Sequence, residues 1–245
     1  MQATDGAMAR TTEDGDDSTA SASAREGSQG TVGGLRAVLF DFDGTVVDTR
    51  DLILASFHHA VQDVLGVDYA DEVFLRTVGK PLAVQMEDFS GDPSLQEELC
   101  RSYREHNARV HEALIRIFPH VPETVATLRD AGLATGVVTS KRHGSTLRGM
   151  RVFGLEPLFD VIVAADDCPA HKPDPEPVRQ AARILGLAPA SCAYVGDSPY
   201  DLQAGRGAGC LTVAATWGMF PESVLRAEEP DLAMRSFEEL RALVR

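Results

Sequence analysis

The chain reads as an α/β protein, a doubly wound parallel sheet with an all-helical subdomain inserted after its first strand. Short apolar runs rich in Val, Leu and Ile recur without the alternation of a half-exposed strand, which is the pattern of parallel strands covered on both faces. Helical stretches separate those runs, as a doubly wound sheet requires. The first interval breaks the rhythm, because it holds several helical stretches and no strand, whereas an ordinary crossover needs one helix.

Residues 1–34 read as a disordered acidic leader. They are rich in Ala, Ser, Thr, Gly and Asp, and their acidic groups outnumber Arg10 and Arg25. Two methionines and Val32 are too few large apolar groups to offset the entropy of ordering. Order is expected from the run Leu35–Phe40, which ends at Asp41. Further strands are expected in Leu133–Thr139 (LATGVVT), Phe159–Ala164 (FDVIVA), Ser191–Gly196 (SCAYVG) and Cys210–Ala214 (CLTVA). Helices are expected over Val121–Ala131, Ser145–Phe153, Glu176–Leu185 and Tyr200–Gly205. The inserted interval supplies Leu52–Leu65, Asp71–Val78 and Leu95–Ile117. The expected division is a core of residues 35–49 and 119–245 and a helical cap of residues 50–118. Its hinges should lie near Thr49–Asp51 and Phe118–Val121.

Acidic residues number 37 against 23 basic ones, a formal net charge of -14 over 245 residues. Such a field repels nucleic-acid phosphates and anionic membrane surfaces, so neither is an expected partner. No apolar run reaches the roughly 18 residues of a spanning helix, and no apolar segment marks a signal peptide near Met1. Cys100, Cys168, Cys192 and Cys210 are scattered and form no CxxC pair, which fits a reducing cytoplasm. A monomer is the default expectation. An anionic substrate in so acidic a chain needs positive charge placed locally.

Several strand ends carry polar groups. Asp41-Phe42-Asp43-Gly44-Thr45 follows the first run, where two carboxylates one residue apart can turn toward the crevice at the sheet's carboxyl edge. Gly44 permits a tight exit. Thr139-Ser140-Lys141 ends the second run, and Thr139 reads either as an oxyanion ligand or as a helix cap. Asp197 and Asp201 in Gly196–Asp201 read as site carboxylates or as a cap and turn. Lys172, before Pro173, is a site cation or a solvent-facing side chain. Four acidic groups at one edge repel one another without a cation, and a hard divalent ion, Mg²⁺ first, resolves that. With Lys172 as the fixed positive charge, the set describes a phosphate-handling centre.

The order DFDGT, a strand ending in Thr139, Lys172-Pro173 and GDSPYD resembles the haloacid dehalogenase-like (HAD) superfamily, over the whole ordered body. The insert resembles the helical cap of its phosphoglycolate phosphatase and beta-phosphoglucomutase branch. The resemblance implies that Asp41 is the nucleophile forming an aspartyl-phosphate, and Asp43 the general acid and base. It implies that Thr139 hydrogen-bonds a phosphoryl oxygen and Lys172 neutralises charge on Asp41 and the transferring group. Mg²⁺ would rest on the Asp41 side chain, the Asp43 backbone carbonyl and Asp197, with Asp201 direct or outer. Dehalogenases of the superfamily lack the second aspartate, so Asp43 argues for phosphate chemistry.

Asp51–Gly66, Tyr103–Gly132, Gly136–Arg142 and His171–Val178 look more closely like the bacterial inorganic pyrophosphatases of the superfamily. Pyrophosphate is therefore the first expected substrate. Phosphoglycolate or sugar-phosphate hydrolysis, phosphomutase action and a non-catalytic regulatory role stay open beside it. Candidate substrate contacts are Gly44, Ser140, Lys141, Arg50 and Lys80, with His58, Arg76, Arg104, Arg142 and His143 as further cationic candidates. His59, His106 and His111 read as surface or cap-interface histidines.

Overall fold

The computed structural model describes residues 34–244. The leader expected over residues 1–34 lies, apart from Gly34, outside the described residues. Strand β1 (Ala37–Phe40) is followed by a two-residue strand β2 (Val47–Asp48), then α1 (Arg50–Leu65), α2 (Asp71–Leu75), α3 (Leu82–Ser90) and α4 (Gln96–Leu114). The chain returns through β3 (Arg116–Ile117) to α5 (Val121–Asp130), β4 (Ala134–Val138), α6 (His143–Val152) and β5 (Val161–Val163). It continues with α7 (Glu176–Ile184), β6 (Cys192–Gly196), α8 (Pro199–Ala208), β7 (Leu211–Ala215), α9 (Glu222–Ala227) and β8 (Leu232–Met234).

Among the described residues the main sheet has 6 strands in the order β5-β4-β1-β6-β7-β8, with every neighbouring pair parallel. The chain builds outward from β1 through β4 to β5, then crosses to the other side for β6, β7 and β8. Strand order thus reverses at β1, and the crevice beyond its carboxyl end is where a doubly wound sheet binds ligands.

Both faces of β1 are covered, which explains its unbroken apolar run. Val38 and Phe40 face the cluster that contains Val125 and Leu128 of α5, and Phe40 stacks on Phe237 at 5.5 Å between ring centroids. Ala37 and Leu39 face the opposite cluster, with Val178 and Ala181 of α7 and Ala204 of α8.

The all-helical insert has its own core. Phe57 of α1 stacks on Phe74 of α2 at 5.3 Å and meets Phe89 of α3 edge-on at 5.3 Å, with Met86 and Leu99 buried alongside. Entry and exit strands β2 and β3 pair antiparallel, Val47 with Ile117 and Asp48 with Arg116. The sequence reading expected no strand in this interval. Two residues are too few to show a period, so only tertiary pairing reveals the hinge ribbon. The short edge strand β8 escaped for the same reason.

Helix α3, between Pro81 and a left-handed Gly91 (φ 61°), was also not anticipated as a separate element. Helix α2 stops before Val78, its expected end, because Thr77 donates its hydroxyl to the Phe74 carbonyl at 2.8 Å and the chain turns. No helix among the described residues is long and apolar enough to cross a membrane.

The aromatic cluster predicts a local instability. Phe57→Ala should cost about 3–5 kcal/mol, the usual cost of an aromatic cavity. Amide hydrogen exchange should accelerate in α1 to α4 while β1, β4 and β6 keep their protection. Uniform loss of protection across the sheet would contradict a separately packed insert.

Candidate active site

Three adjacent strand ends converge. Asp41 prolongs β1, its amide donating to the Val195 carbonyl of β6 at 2.8 Å. Thr139 prolongs β4, its amide donating to the Val163 carbonyl at 2.9 Å, and Asp197 follows β6 directly. Gly44 turns the chain at φ 83°, and any side chain there would collide with the Asp197 carboxylate. Gly218 presses on Asp197 from the other side, where a Cβ would again collide with it. The Asp197 carboxylate accepts from the Met219 amide at 2.7 Å and the Thr45 hydroxyl at 3.3 Å.

Lys172 is 3% exposed and lies at the centre. Its Nζ donates to Asp41 Oδ1 at 2.8 Å and to Asp201 Oδ1 at 2.5 Å. Asp201 is engaged at both oxygens: Oδ1 accepts from Lys172 and shares the Tyr194 hydroxyl, at 3.1 Å, with the Val138 carbonyl at 3.0 Å, and Ser198 donates its amide and hydroxyl to Oδ2 at 3.1 and 2.5 Å. Ser198 and Asp201 form the capping box of α8, so the cap reading and the site reading of Asp201 both hold. Thr139 is not a helix cap, because Arg142 occupies that position for α6.

The charges do not balance. Carboxylate oxygens of Asp41, Asp197 and Asp201 lie within 4.8 Å of one another, all buried, facing the single buried ammonium of Lys172. Burial pushes the Asp41 carboxyl from 3.8 up to about 7 against the pull of Lys172, with Asp201 adding to the rise. Burial also holds Asp197 well above the usual carboxylate range, with Asp201 and Asp41 reinforcing it. Burial alone would lower Lys172, but Asp201 and Asp41 outweigh it and hold the ammonium well above its ordinary value. Surplus negative charge on hard oxygen donors fits a divalent cation.

A cavity of about 380 Å³ opens between these strand ends and the insert. The loop Val78–Pro81 and helix α4 cover it, and Ser140 donates its hydroxyl to the Gly79 carbonyl at 2.8 Å. Ser140 is therefore spent on holding the insert against the core. Lys141 donates to both oxygens of Asp43 at 2.9 and 3.0 Å. Arg104 and Arg142 also line the cavity and have no ion pair among the described residues.

Other expected contacts fall elsewhere. Arg50 is exposed at the start of α1 and outside the cavity lining, because the hinge ribbon turns it to the surface. Lys80 reaches the cavity wall, but its ammonium is bound by Asp88 of the insert at 2.7 Å. His58 is held by Asp68 and Asp71, His143 by Asp167, and Arg76 is exposed, all three outside the lining. Sequence reasoning missed Tyr194, Gly218 and the Met219 amide, and read His111 as a satisfied surface or cap-interface histidine, whereas neither ring nitrogen is paired among the described residues. A strand tyrosine, a loop glycine and a backbone amide carry no distinguishing signal. His111, which is buried and lines the cavity, had one in its spacing of seven from Arg104 and four from Asn107.

A pH dependence follows from Asp41. In the unfolded chain it ionises near 3.8, and in the folded metal-free chain near 7, so the folded state holds the extra proton in between. Metal-free protein should therefore lose stability as pH rises through that window. Thermal unfolding in EDTA should show Tm falling with pH, and Asp41→Asn, which cannot ionise, should flatten the fall. A Tm that rises over the window would refute this electrostatic picture.

The sequence profile described as "Haloacid dehalogenase-like hydrolase" matches residues 38–215. A protein named "Pyrophosphatase PpaX" from Bacillus pumilus is 36% identical over 211 residues, 86% of this chain and 96% of that one. Its namesake from Halalkalibacterium halodurans is 35% identical over 210 residues, 86% and 97% of the two chains. Among solved structures, a "predicted phosphoglycolate phosphatase" from Haemophilus somnus superposes with a TM-score of 0.80 at 23% identity, covering 87% of this chain and 100% of that one. A haloacid dehalogenase-like family hydrolase from Streptococcus pneumoniae gives 0.77 at 23% identity, covering 86% and 99%. These two establish likeness of fold. With the profile, the near full-length relatives and the converging strand ends in agreement, the chain belongs to the haloacid dehalogenase-like hydrolase family and is an enzyme of its phosphatase type.

Proposed function

We propose that this phosphatase is a Mg²⁺-dependent hydrolase of a small, multiply anionic phosphate compound, with inorganic pyrophosphate as its substrate. One observation carries the reading: two separate sets of cations serve one small cavity. Lys172 is committed to Asp41 and Asp201, whereas Lys141 pairs with Asp43, and Arg142 and Arg104 line the same cavity with no ion pair among the described residues. The first set suits the phosphoryl group under attack, the second a leaving group with negative charge of its own. The names of the two near full-length relatives support the same substrate.

In this reading the core, residues 35–49 and 119–245, carries the chemistry, and the helical cap, residues 50–118, closes over it. Asp41 Oδ1 is held by Lys172, and its other oxygen attacks phosphorus as the bond to the leaving oxygen breaks, giving an aspartyl-phosphate. Thr139 donates a hydrogen bond to a phosphoryl oxygen. An anionic leaving group draws Lys141 away from Asp43, which then takes up a proton and passes it to the leaving oxygen. Asp43 afterwards takes a proton from the water that cleaves the aspartyl-phosphate, and Asp41 is regenerated. Mg²⁺, held by Asp41, the Asp43 carbonyl and Asp197, supplies charge neutralisation for the phosphoryl group. Asp201, with both oxygens committed, serves as an outer member that fixes Lys172.

A second reading has its own support. Ile53, Phe57, Val78 and Leu82 give the cavity an apolar portion, which fits the carbon skeleton of phosphoglycolate or a sugar phosphate better than a second phosphate.

Phosphate release with Mg²⁺ should be fastest on pyrophosphate when compared by kcat/KM with phosphoglycolate and a sugar-phosphate panel. Asp41→Asn should lose roughly four orders of magnitude or more in kcat while remaining folded. Preference for a monoester would keep the chemistry and discard the substrate. Phosphoryl transfer between sugar positions without net release would favour a mutase. No turnover of any of these would leave a binding role.

Mg²⁺ should also raise Tm, and by more near about pH 8 than about pH 6, because protons on Asp41 and Asp197 compete with the ion. Asp197→Asn should remove most of that increment. An equal increment in the variant would place the ion elsewhere.

A further inference from the structure

His111 is a buried polar group that the chemistry above leaves unused. It is 2% exposed and lines the cavity, and neither Nδ1 nor Nε2 has a hydrogen-bond partner among the described residues. Buried polar atoms are nearly always paired, and an unpaired donor and acceptor carry a real cost. A ligand that satisfies the ring removes that cost.

Its position says which part of a ligand. Helical spacing puts Arg104, Asn107 and His111 on one face of α4, and all three line the cavity. Asn107 is already committed, donating to the Ser56 hydroxyl at 3.2 Å, whereas Arg104 has no ion pair among the described residues. The charges that act on the ring are Lys141, Arg148, Asp43 and Glu112, and of these Lys141 and Asp43 form the pair that the proposed function sets beside the leaving group. Burial first, then Lys141 and Arg148, holds the imidazole below its ordinary pKa. A neutral ring offers one N–H donor and one acceptor, and so can bind an anionic oxygen without adding charge.

We propose that His111 donates a ring N–H to an anionic oxygen on the leaving half of the substrate, with Arg104 supplying the matching charge, so that α4 selects phosphates whose leaving group is itself a phosphate or a carboxylate. The inference rests on the phosphohydrolase reading but not on the choice of pyrophosphate. His111 is in this sense a specificity-determining residue and carries no proton in the reaction.

The test is a ratio. The full chain with Mg²⁺ is assayed on pyrophosphate, on phosphoglycolate and on p-nitrophenyl phosphate, whose leaving half has no anionic oxygen group of its own. His111→Phe keeps a ring and removes both nitrogens, and should lower the ratio of kcat/KM on the better anionic substrate to that on p-nitrophenyl phosphate. The expected fall is roughly ten- to a hundred-fold, the worth of one hydrogen bond to a charged group. His111→Gln, which retains a donor, should recover most of the ratio.

Wild-type preference for pyrophosphate identifies the anion as phosphate. Preference for phosphoglycolate identifies a carboxylate, and discards the pyrophosphate reading while the subsite stands. Equal losses on charged and uncharged leaving groups, or a wild type that favours p-nitrophenyl phosphate, would overturn the inference. Should His111→Phe fail to fold, Arg104→Gln at its exposed position provides the same ratio, which must also fall.

Discussion

The site depends on the Lys172 ammonium, buried between Asp41 and Asp201. A lysine this far from water is held only by paired carboxylates, and its two partners come from distant parts of the chain. Asp41 ends β1, Asp201 opens α8, and Lys172 lies in the segment between β5 and α7. The strand order β4-β1-β6 brings them within reach. The same pair orders Tyr194 and Ser198 around Asp201 and leaves Asp41 with one oxygen beyond the lysine's hold. With Asp197 added, one ammonium serves three carboxylates, so the pocket is built short of positive charge. Gly44 and Gly218 leave the room that Asp197 fills, and the Met219 amide and Thr45 hydroxyl hold its carboxylate there.

The insert performs a different task. Its aromatic core keeps α1 to α4 together as a unit, and the ribbon of β2 and β3 joins it to the sheet at a single place. It meets the core again where Ser140 donates to the Gly79 carbonyl, where Arg148 pairs with Glu112, where Met219 enters the insert's aromatic core and where Leu52, Val110 and Leu114 pack on the main cluster. Helices lying over the strand ends in this way are suited to covering a small ligand and excluding water. The chain as a whole carries a charge of -14, yet its cavity gathers Lys141, Arg142, Arg104 and Arg148. Those local cations offer an anion partners that the acidic chain as a whole would not. In the proposed function, substrate choice belongs to α4 and the segment after β4, and bond cleavage to the strand ends.

Much of this was legible in the sequence. Five strand cores, the helices between them and the helical interruption followed from apolar periodicity, because residues covered on both faces cannot alternate. Asp41, Thr139, Lys172, Asp197 and Asp201 stood out as polar groups at the ends of such runs or before a helix, and the structure brings all five to one crevice. The readings that missed were of two kinds. The strands β2, β3 and β8 are two or three residues long and have no period to detect. Arg50 and Lys80 were chosen by charge and position in a loop, and neither property says which neighbour a long flexible side chain will meet. Arg50 reached the surface and Lys80 met Asp88.

The sequence by itself determined the fold class and marked out the candidate site groups at strand ends, because both are written in local patterns. A strand fully buried in a sheet must be continuously apolar, and a carboxylate that leaves such a strand must emerge at the ligand-binding edge. Only the tertiary structure decided which groups are paired, which are unsatisfied, and which line the cavity. Lys141 pairs with Asp43, ninety-eight residues away in sequence, and that distance is closed by the sheet alone. His111 resembles any helical histidine until the insert folds over the core and shuts its ring away from water. Pairing and burial are properties of neighbours across the fold, and neighbours that meet only through long-range packing leave no mark in the order of residues.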